Sequence, residues 1–161
     1  MVTNLRWKYV LAVIALTTLT VGVPVASEAK GGKRIVTVTV NGKRVKWSGR
    51  LLSFTQGDSG LIIVGTKARA SKTIGIGCPI LLGASTYPLT LDTYCSGQYA
   101  ERAGKRYWFN PGVSGEPFSV TVESFDGTVV AGRFSGTLPP LVGATTPVTL
   151  EGSFRGAVNV Q

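Results

Sequence analysis

The chain has no histidine in its 161 residues and only two cysteines. Without imidazole, a Ser/His/Asp triad and the usual general base near neutral pH are excluded. Two thiols with no imidazole fall short of a zinc site, so neither a metal nor a cofactor is expected. Acidic residues are scarce as well: 8 Asp and Glu stand against 17 Lys and Arg. Beyond the first 29 residues the carboxylates are Asp58, Asp92, Glu101, Glu116, Glu123, Asp126 and Glu151. Their spacing selects no pair of the kind glycoside hydrolysis uses. Asp58 and Asp126 sit in turn sequences, where a carboxylate ordinarily bonds nearby backbone. A protein that is not an enzyme is therefore expected. Sustained helical periodicity is also missing after residue 29, which excludes a helical domain.

What is present begins with residues 1–29, which read as an export leader. Arg6 and Lys8 give a positive start, and Tyr9 to Val25 follows without a charge. Pro24 breaks that stretch, and Ser27-Glu28-Ala29 offers small residues at the two positions a signal peptidase inspects. The apolar stretch is 17 residues long, at the bottom of the spanning range, and it is diluted by threonines. Both features argue for cleavage over a retained anchor. The cut has no Cys for a lipid anchor, and no twin-Arg pair precedes it. Residues 30–161 are then one mature domain of 132 residues with no membrane span, destined for the periplasm or the exterior. Removing Arg6, Lys8 and Glu28 leaves 15 basic and 7 acidic residues, a net charge of +8.

That charge attracts anionic envelope polymers, glycans and phospholipid head groups, although it also serves solubility. The basic residues are scattered and no nucleic-acid motif accompanies them, so no specific nucleic-acid partner is expected. In an exported chain the two cysteines, Cys78 and Cys95, are expected to form a disulfide. The loop closed has the length for which chain entropy gives ~3 kcal/mol of stabilisation.

Period-two alternation identifies the strands. In Ile35 to Trp47, Asn41-Gly42 signals a type I′ hairpin. It pairs Val36 with Trp47, Thr37 with Lys46, Val38 with Val45 and Thr39 with Arg44. The apolar set falls on one face. In Phe118 to Leu138, a three-residue loop Phe125-Asp126-Gly127 keeps the apolar faces aligned. It pairs Val122 with Val130, Val120 with Gly132 and Phe118 with Phe134. Gly132-Arg133-Phe134-Ser135-Gly136 recurs as Gly152-Ser153-Phe154-Arg155-Gly156. These copies are expected to be paired neighbours whose glycines leave room for the inward rings. Pro139-Pro140 to Pro147 reads as the loop between them. Leu51–Thr55, Leu61–Thr66, Thr73–Cys78, Tyr94–Ala100 and Lys105–Phe109 complete the set, the last two as a hairpin facing Glu101 to Arg106 and Tyr99 to Trp108. Thr73-Ile74-Gly75-Ile76-Gly77 reads as a strand, because Cys78-Pro79 forbids the helix a phosphate-cradling loop needs. Pro79 to Pro88 reads as irregular with a short helical turn. The expectation is an all-β fold, a single antiparallel barrel-like or sandwich domain of about eight to ten strands.

The aromatic and basic stretch around Tyr107-Trp108-Phe109 supplies the candidate binding surface: Tyr99, Arg102, Lys105, Arg106, Tyr107 and Trp108. Successive strand residues point to opposite faces, so Trp108 and its two neighbours cannot all be core in a one-sided sheet. An aromatic, basic surface suits a glycan, a lipid or an anionic polymer. An outer-membrane barrel fits less well, because the chain ends Val158-Asn159-Val160-Gln161 without a terminal aromatic.

The C-terminal half, about residues 73–158, resembles a family of small exported bacterial β-domains of unknown function, known as lipoproteins and secreted proteins. The likeness rests on Cys95-Ser96-Gly97-Gln98-Tyr99, Phe118-Ser119-Val120-Thr121-Val122, the Gly132–Leu138 stretch and Val148-Thr149-Leu150-Glu151-Gly152-Ser153-Phe154. The resemblance implies an all-β exported domain and supplies no catalytic residues. The expected role is a non-enzymatic envelope or secreted binding module. A structural or assembly protein, or a barrel holding a small apolar ligand, is the alternative.

Overall fold

Backbone pairing follows the alternation closely. The structure, a computed structural model, describes residues 33–48, 52–67, 71–102, 104–113 and 118–160. The leader assigned to residues 1–29 lies outside them, as do Leu51, Ala103 and Glu116. The strands are β1 (Ile35–Val40), β2 (Lys43–Ser48), β3 (Leu52–Gly57), β4 (Gly60–Thr66), β5 (Lys72–Cys78), β6 (Leu89–Leu91), β7 (Ser96–Glu101), β8 (Arg106–Asn110), β9 (Phe118–Phe125), β10 (Val129–Leu138), β11 (Pro140–Val142), β12 (Val148–Ala157) and β13 (Asn159–Val160). A single 3-10 turn, Leu82–Ala84, interrupts the irregular stretch after Pro79.

The thirteen strands among the described residues exceed the expected eight to ten. The surplus is β6, β11 and β13, which are two or three residues long and too short to show alternation. The Pro139–Pro147 stretch, read as a loop, begins with one of them. Six strands form one sheet in the order β2-β1-β12-β10-β9-β6. Seven form the other, β11-β8-β7-β5-β4-β3-β13. The two pack face to face as a sandwich, and no closed barrel forms.

The first hairpin has the expected register, with Val36 opposite Trp47 and Val38 opposite Val45. Asn41 and Gly42 both take positive φ, 44° and 79°, as the tight turn demands. Asn41 also bonds Thr149 of β12 in both directions, at 3.0 and 3.2 Å.

The β9–β10 hairpin differs from expectation by two residues. Val122 faces Gly132, Val120 faces Phe134 and Phe118 faces Gly136. The inward set is unchanged, because an even shift preserves the faces of a strand. Near the turn, Phe125 faces Val130 and Ser124 faces Ala131; the register then slips, leaving Glu123 as the extra residue of a bulge. Asp126 closes the turn by accepting the N–H groups of Thr128 (2.9 Å) and Val129 (2.7 Å), with Gly127 at φ 91°.

The two Gly-x-Phe-x-Gly copies are antiparallel neighbours, β10 on β12, with Gly132 opposite Phe154 and Phe134 opposite Gly152. Each ring lies over the glycine opposite it. A Cβ on Gly132 would sit 2.5 Å from Phe154 Cζ, and one on Gly152 would sit 2.6 Å from Phe134 Cζ. The same device joins the sheets, with Trp47 packed on Gly65 and Phe54 on Gly156.

The core between the sheets is continuous. It includes Val36, Val38, Phe54, Ile63, Ile74, Tyr99, Trp108, Phe118, Phe134, Leu150 and Phe154. Asn110 is the one fully buried polar side chain among the described residues. Its amide donates to Thr137 O of β10 (3.0 Å) and its carbonyl accepts Gly112 N (2.8 Å), tying one sheet to the other. The long strands turn corners into the opposite sheet: β10 passes through Pro139 into β11, and β12 passes through Val158 into β13. Such bends close the ends of a sandwich without making a barrel.

Candidate functional site

The β7–β8 hairpin has the expected register, Tyr99 opposite Trp108 and Glu101 opposite Arg106. Alternation then divides the candidate residues. Tyr99 and Trp108 point inward, are buried in the core, and pack on each other with ring centroids 5.7 Å apart. They are not part of the surface proposed for them. Trp108 Nε1 donates to Thr146 O (2.8 Å). Arg102, Lys105 and Arg106 are exposed, and Tyr107 lies partly exposed on the outer face. Tyr107 and Trp108 are sequence neighbours and so could not share a face.

Phe109, two residues on, shares the face of Tyr107. The two rings lie with centroids 6.4 Å apart and planes within 10° of parallel. Tyr107, opposite Ala100, donates its hydroxyl to Gln98 Oε1 (2.7 Å). Burial pushes the Tyr107 hydroxyl pKa up, so it remains a donor. Gln98 lies on Gly75, where a Cβ would come within 2.6 Å of Gln98 Cγ. Its amide is thus held from below by a missing side chain and from the side by a hydroxyl.

Extending the rows across the seven-stranded sheet gives the rest of the surface. Val64, Gly75, Gln98 and Phe109 are cross-strand partners in sequence, and so are Ile62, Gly77 and Ser96. A third row runs Thr66, Thr73, Ala100 and Tyr107. Over β3, β4, β5, β7 and β8 no outward strand position carries a charge. The outer face of the six-stranded sheet is different, carrying Arg44, Lys46, Arg133, Glu151 and Arg155.

Charge collects instead at one end of the seven-stranded sheet. The β4–β5 and β7–β8 turns are bonded side by side, Lys67 N to Lys72 O (2.8 Å) and Arg102 N to Ser71 O (2.9 Å). Lys67, Lys72, Arg102, Lys105 and Arg106 are gathered there, and Glu101 is the one described carboxylate among them. Glu101 is itself occupied: it accepts the Tyr99 hydroxyl (2.7 Å) and pairs with Lys72 (3.3 Å). The Tyr99 hydrogen bond holds its carboxyl below the ordinary 4.5, with Lys72 and Arg106 adding to the effect and burial opposing it. Burial in turn drives the Tyr99 hydroxyl far above its ordinary value, reinforced by Glu101.

Three further carboxylates have local partners. Glu123 pairs with Arg133 at 3.3 Å, Asp92 accepts Ser119 at 2.6 Å, and Asp126 caps its turn. Cys78 and Cys95 form the expected disulfide (Cα–Cα 4.3 Å), bridging β5 to the residue before β7.

Sequence reasoning missed Gln98, Lys67 and Lys72, and it used Phe109 only as a neighbour of Trp108. The i, i+2 relation of Tyr107 and Phe109 was a usable signal. Lys67 and Lys72 join the cluster through pairing of distant strands, which no local pattern reveals. No known protein family, curated protein or solved structure matches the chain.

Proposed function

We propose that this chain is an exported, non-enzymatic module that binds an anionic glycan across the outer face of its seven-stranded sheet. The observation that carries it is the junction of an uncharged aromatic face with a basic end. Tyr107 and Phe109 offer apolar surface to the C–H faces of sugar rings, and Gln98 is a fixed polar group beside them. Lys67, Arg102 and Lys105, in the turns at that end, meet the acidic groups, and Arg106, exposed at the start of β8 on the Trp108 side, adds to the field that steers the polymer in. A purely anionic surface would need no aromatic lane, and a lipid would need no fixed amide. Export is supported by the leader pattern of residues 1–29 and by the disulfide, which persists in oxidising compartments. No described helix is long and apolar enough to cross a membrane. The apolar-ligand barrel lacks its container, since no closed barrel forms.

Calorimetric titration against hyaluronan, heparin and uncharged chitin oligosaccharides tests this. The acidic glycans bind, more weakly at high salt. A variant with Arg102, Lys105 and Arg106 all changed to Ala weakens binding by about tenfold or more, and Phe109→Ala weakens it while leaving the salt dependence intact. No binding to either acidic glycan at low salt would remove this reading.

A structural or assembly role is the second reading. It is favoured by Leu141 and Val142, each 53% exposed on the short edge strand β11, where another chain could add. Sedimentation showing stable oligomers that Leu141→Lys disperses would support it.

A further inference from the structure

We infer that the groove beside the disulfide is a second subsite on this face and takes an uncharged sugar ring of the same chain; the inference rests on the glycan reading above. The groove is shallow and open to solvent, about 240 Å³ between Ser59, Ile62, Gly77, Pro79, Tyr94 and Ser96, with Cys78 at its edge. None of these side chains is charged, unlike those at the basic end. Two apolar groups are left in solvent there, Tyr94 at 69% exposure and Ile62 at 42%.

Tyr94 is held in place against its own preference. Its φ is 67°, a left-handed conformation that is unfavourable for a non-glycine residue. It persists because the neighbouring chain over-determines it. Tyr94 N donates to Gly112 O (3.0 Å), and the next residue, Cys95, is bonded to Cys78. The backbone that carries this ring, which packs on nothing in the core, is thus fixed at the mouth of the groove.

The floor is Gly77, where a Cβ would meet nothing but Ser96 Oγ, at 2.9 Å. Gly77 lies two residues along β5 from Gly75, the residue under Gln98. The groove therefore continues the lane that starts at Tyr107 and Phe109; from Phe109 it lies two strand spacings across and two residues along, roughly 12 Å away. A sugar ring would lay its apolar face on Tyr94 and turn its hydroxyls to Ser59 and Ser96. The bound chain then has a direction, acidic units at the basic end and an uncharged unit in the groove.

Hyaluronan supplies both kinds of unit, so its disaccharide and octasaccharide are the probes. Wild-type protein binds the octasaccharide at least tenfold tighter than the disaccharide. Gly77→Val fills the floor with a residue suited to strands, and Tyr94→Asn removes the ring while tolerating the left-handed backbone. Each abolishes most of the length advantage and leaves disaccharide affinity unchanged. Unchanged octasaccharide binding in both variants overturns the subsite while the glycan reading stands. Equal losses for both lengths also overturn it. If wild-type protein binds neither probe, the subsite falls, and the glycan reading falls with it only if heparin also fails to bind.

Discussion

Trp47 and Trp108 bring the same indole into opposite hydrogen-bonding situations. Trp47 is 2% exposed, and its Nε1 has no acceptor among the described residues. Trp108 Nε1 reaches Thr146 O at 2.8 Å. Both changes to Phe lose some packing, but only Trp108→Phe strips a partner from a carbonyl. In Trp47→Phe, removal of a buried unpaired donor offsets the lost area. Urea unfolding should therefore show Trp108→Phe less stable than Trp47→Phe by about 1–3 kcal/mol; equal losses would contradict this. The Tyr99–Glu101 pair predicts pH dependence at both extremes. Glu101 has a folded pKa below 4.5, so its contribution is present above that value and is lost as pH falls through the folded one. Tyr99 has a folded pKa raised above 10.0, so its contribution is complete below pH 10 and is lost as pH rises beyond it. Glu101→Gln should flatten the acid limb of stability against pH, and Tyr99→Phe the alkaline limb. Unaltered limbs in both variants would show that the pair is not coupled to folding.

At the scale of elements, reciprocal packing of Phe134 and Phe154 on Gly152 and Gly132 is the most specific feature of the six-stranded sheet. A Cβ at either glycine enters the ring opposite and also crowds a carbonyl of the flanking strand, Thr121 O or Thr37 O. Ring movement relieves one clash and not the other. Gly132→Ala and Gly152→Ala should each cost about 1–3 kcal/mol, the range of overpacking. Gly57→Ala, with nothing within 4 Å of the added atom, should change stability by less than about 0.5 kcal/mol. Thermal melts that rank Gly57→Ala with the other two would defeat this account. The repeat was legible as two strands with inward rings because glycine, phenylalanine and alternation all carry local meaning. The β9–β10 register was less so. Asp126-Gly127 marked the turn, but the bulge at Glu123 depends on how β9 lies along β10, and two registers of the same parity bury the same side chains.

Across the whole molecule, the disulfide joins neighbouring strands of the seven-stranded sheet at a separation of 17 residues. Both cysteines are buried, at 4% and 0% exposure. Reductant should leave the native bond intact and cut it readily in urea. The doubly substituted Cys78→Ser/Cys95→Ser protein should lose roughly 3 kcal/mol, the loop-closure value. Loss of less than about 1 kcal/mol would place the stability of this end in packing alone. The two outer faces also diverge at this scale, one charged and one bare of charge, and that contrast is what directs the functional reading to the seven-stranded sheet.

The sequence alone determined the strands longer than about five residues, their inward and outward sets, the first hairpin and the cysteine pairing. Each depends on neighbours in the chain or on a single possible partner. Only the tertiary structure decided sandwich over barrel, because closure rests on corners at Pro139 and Val158 and on strands too short to carry a period. It also decided the surface. Tyr99 and Trp108 went to the core, Lys67 and Lys72 joined the basic end, and Tyr94 came to stand beside Gly77, since cross-strand neighbours distant in sequence meet only once the sheets are assembled.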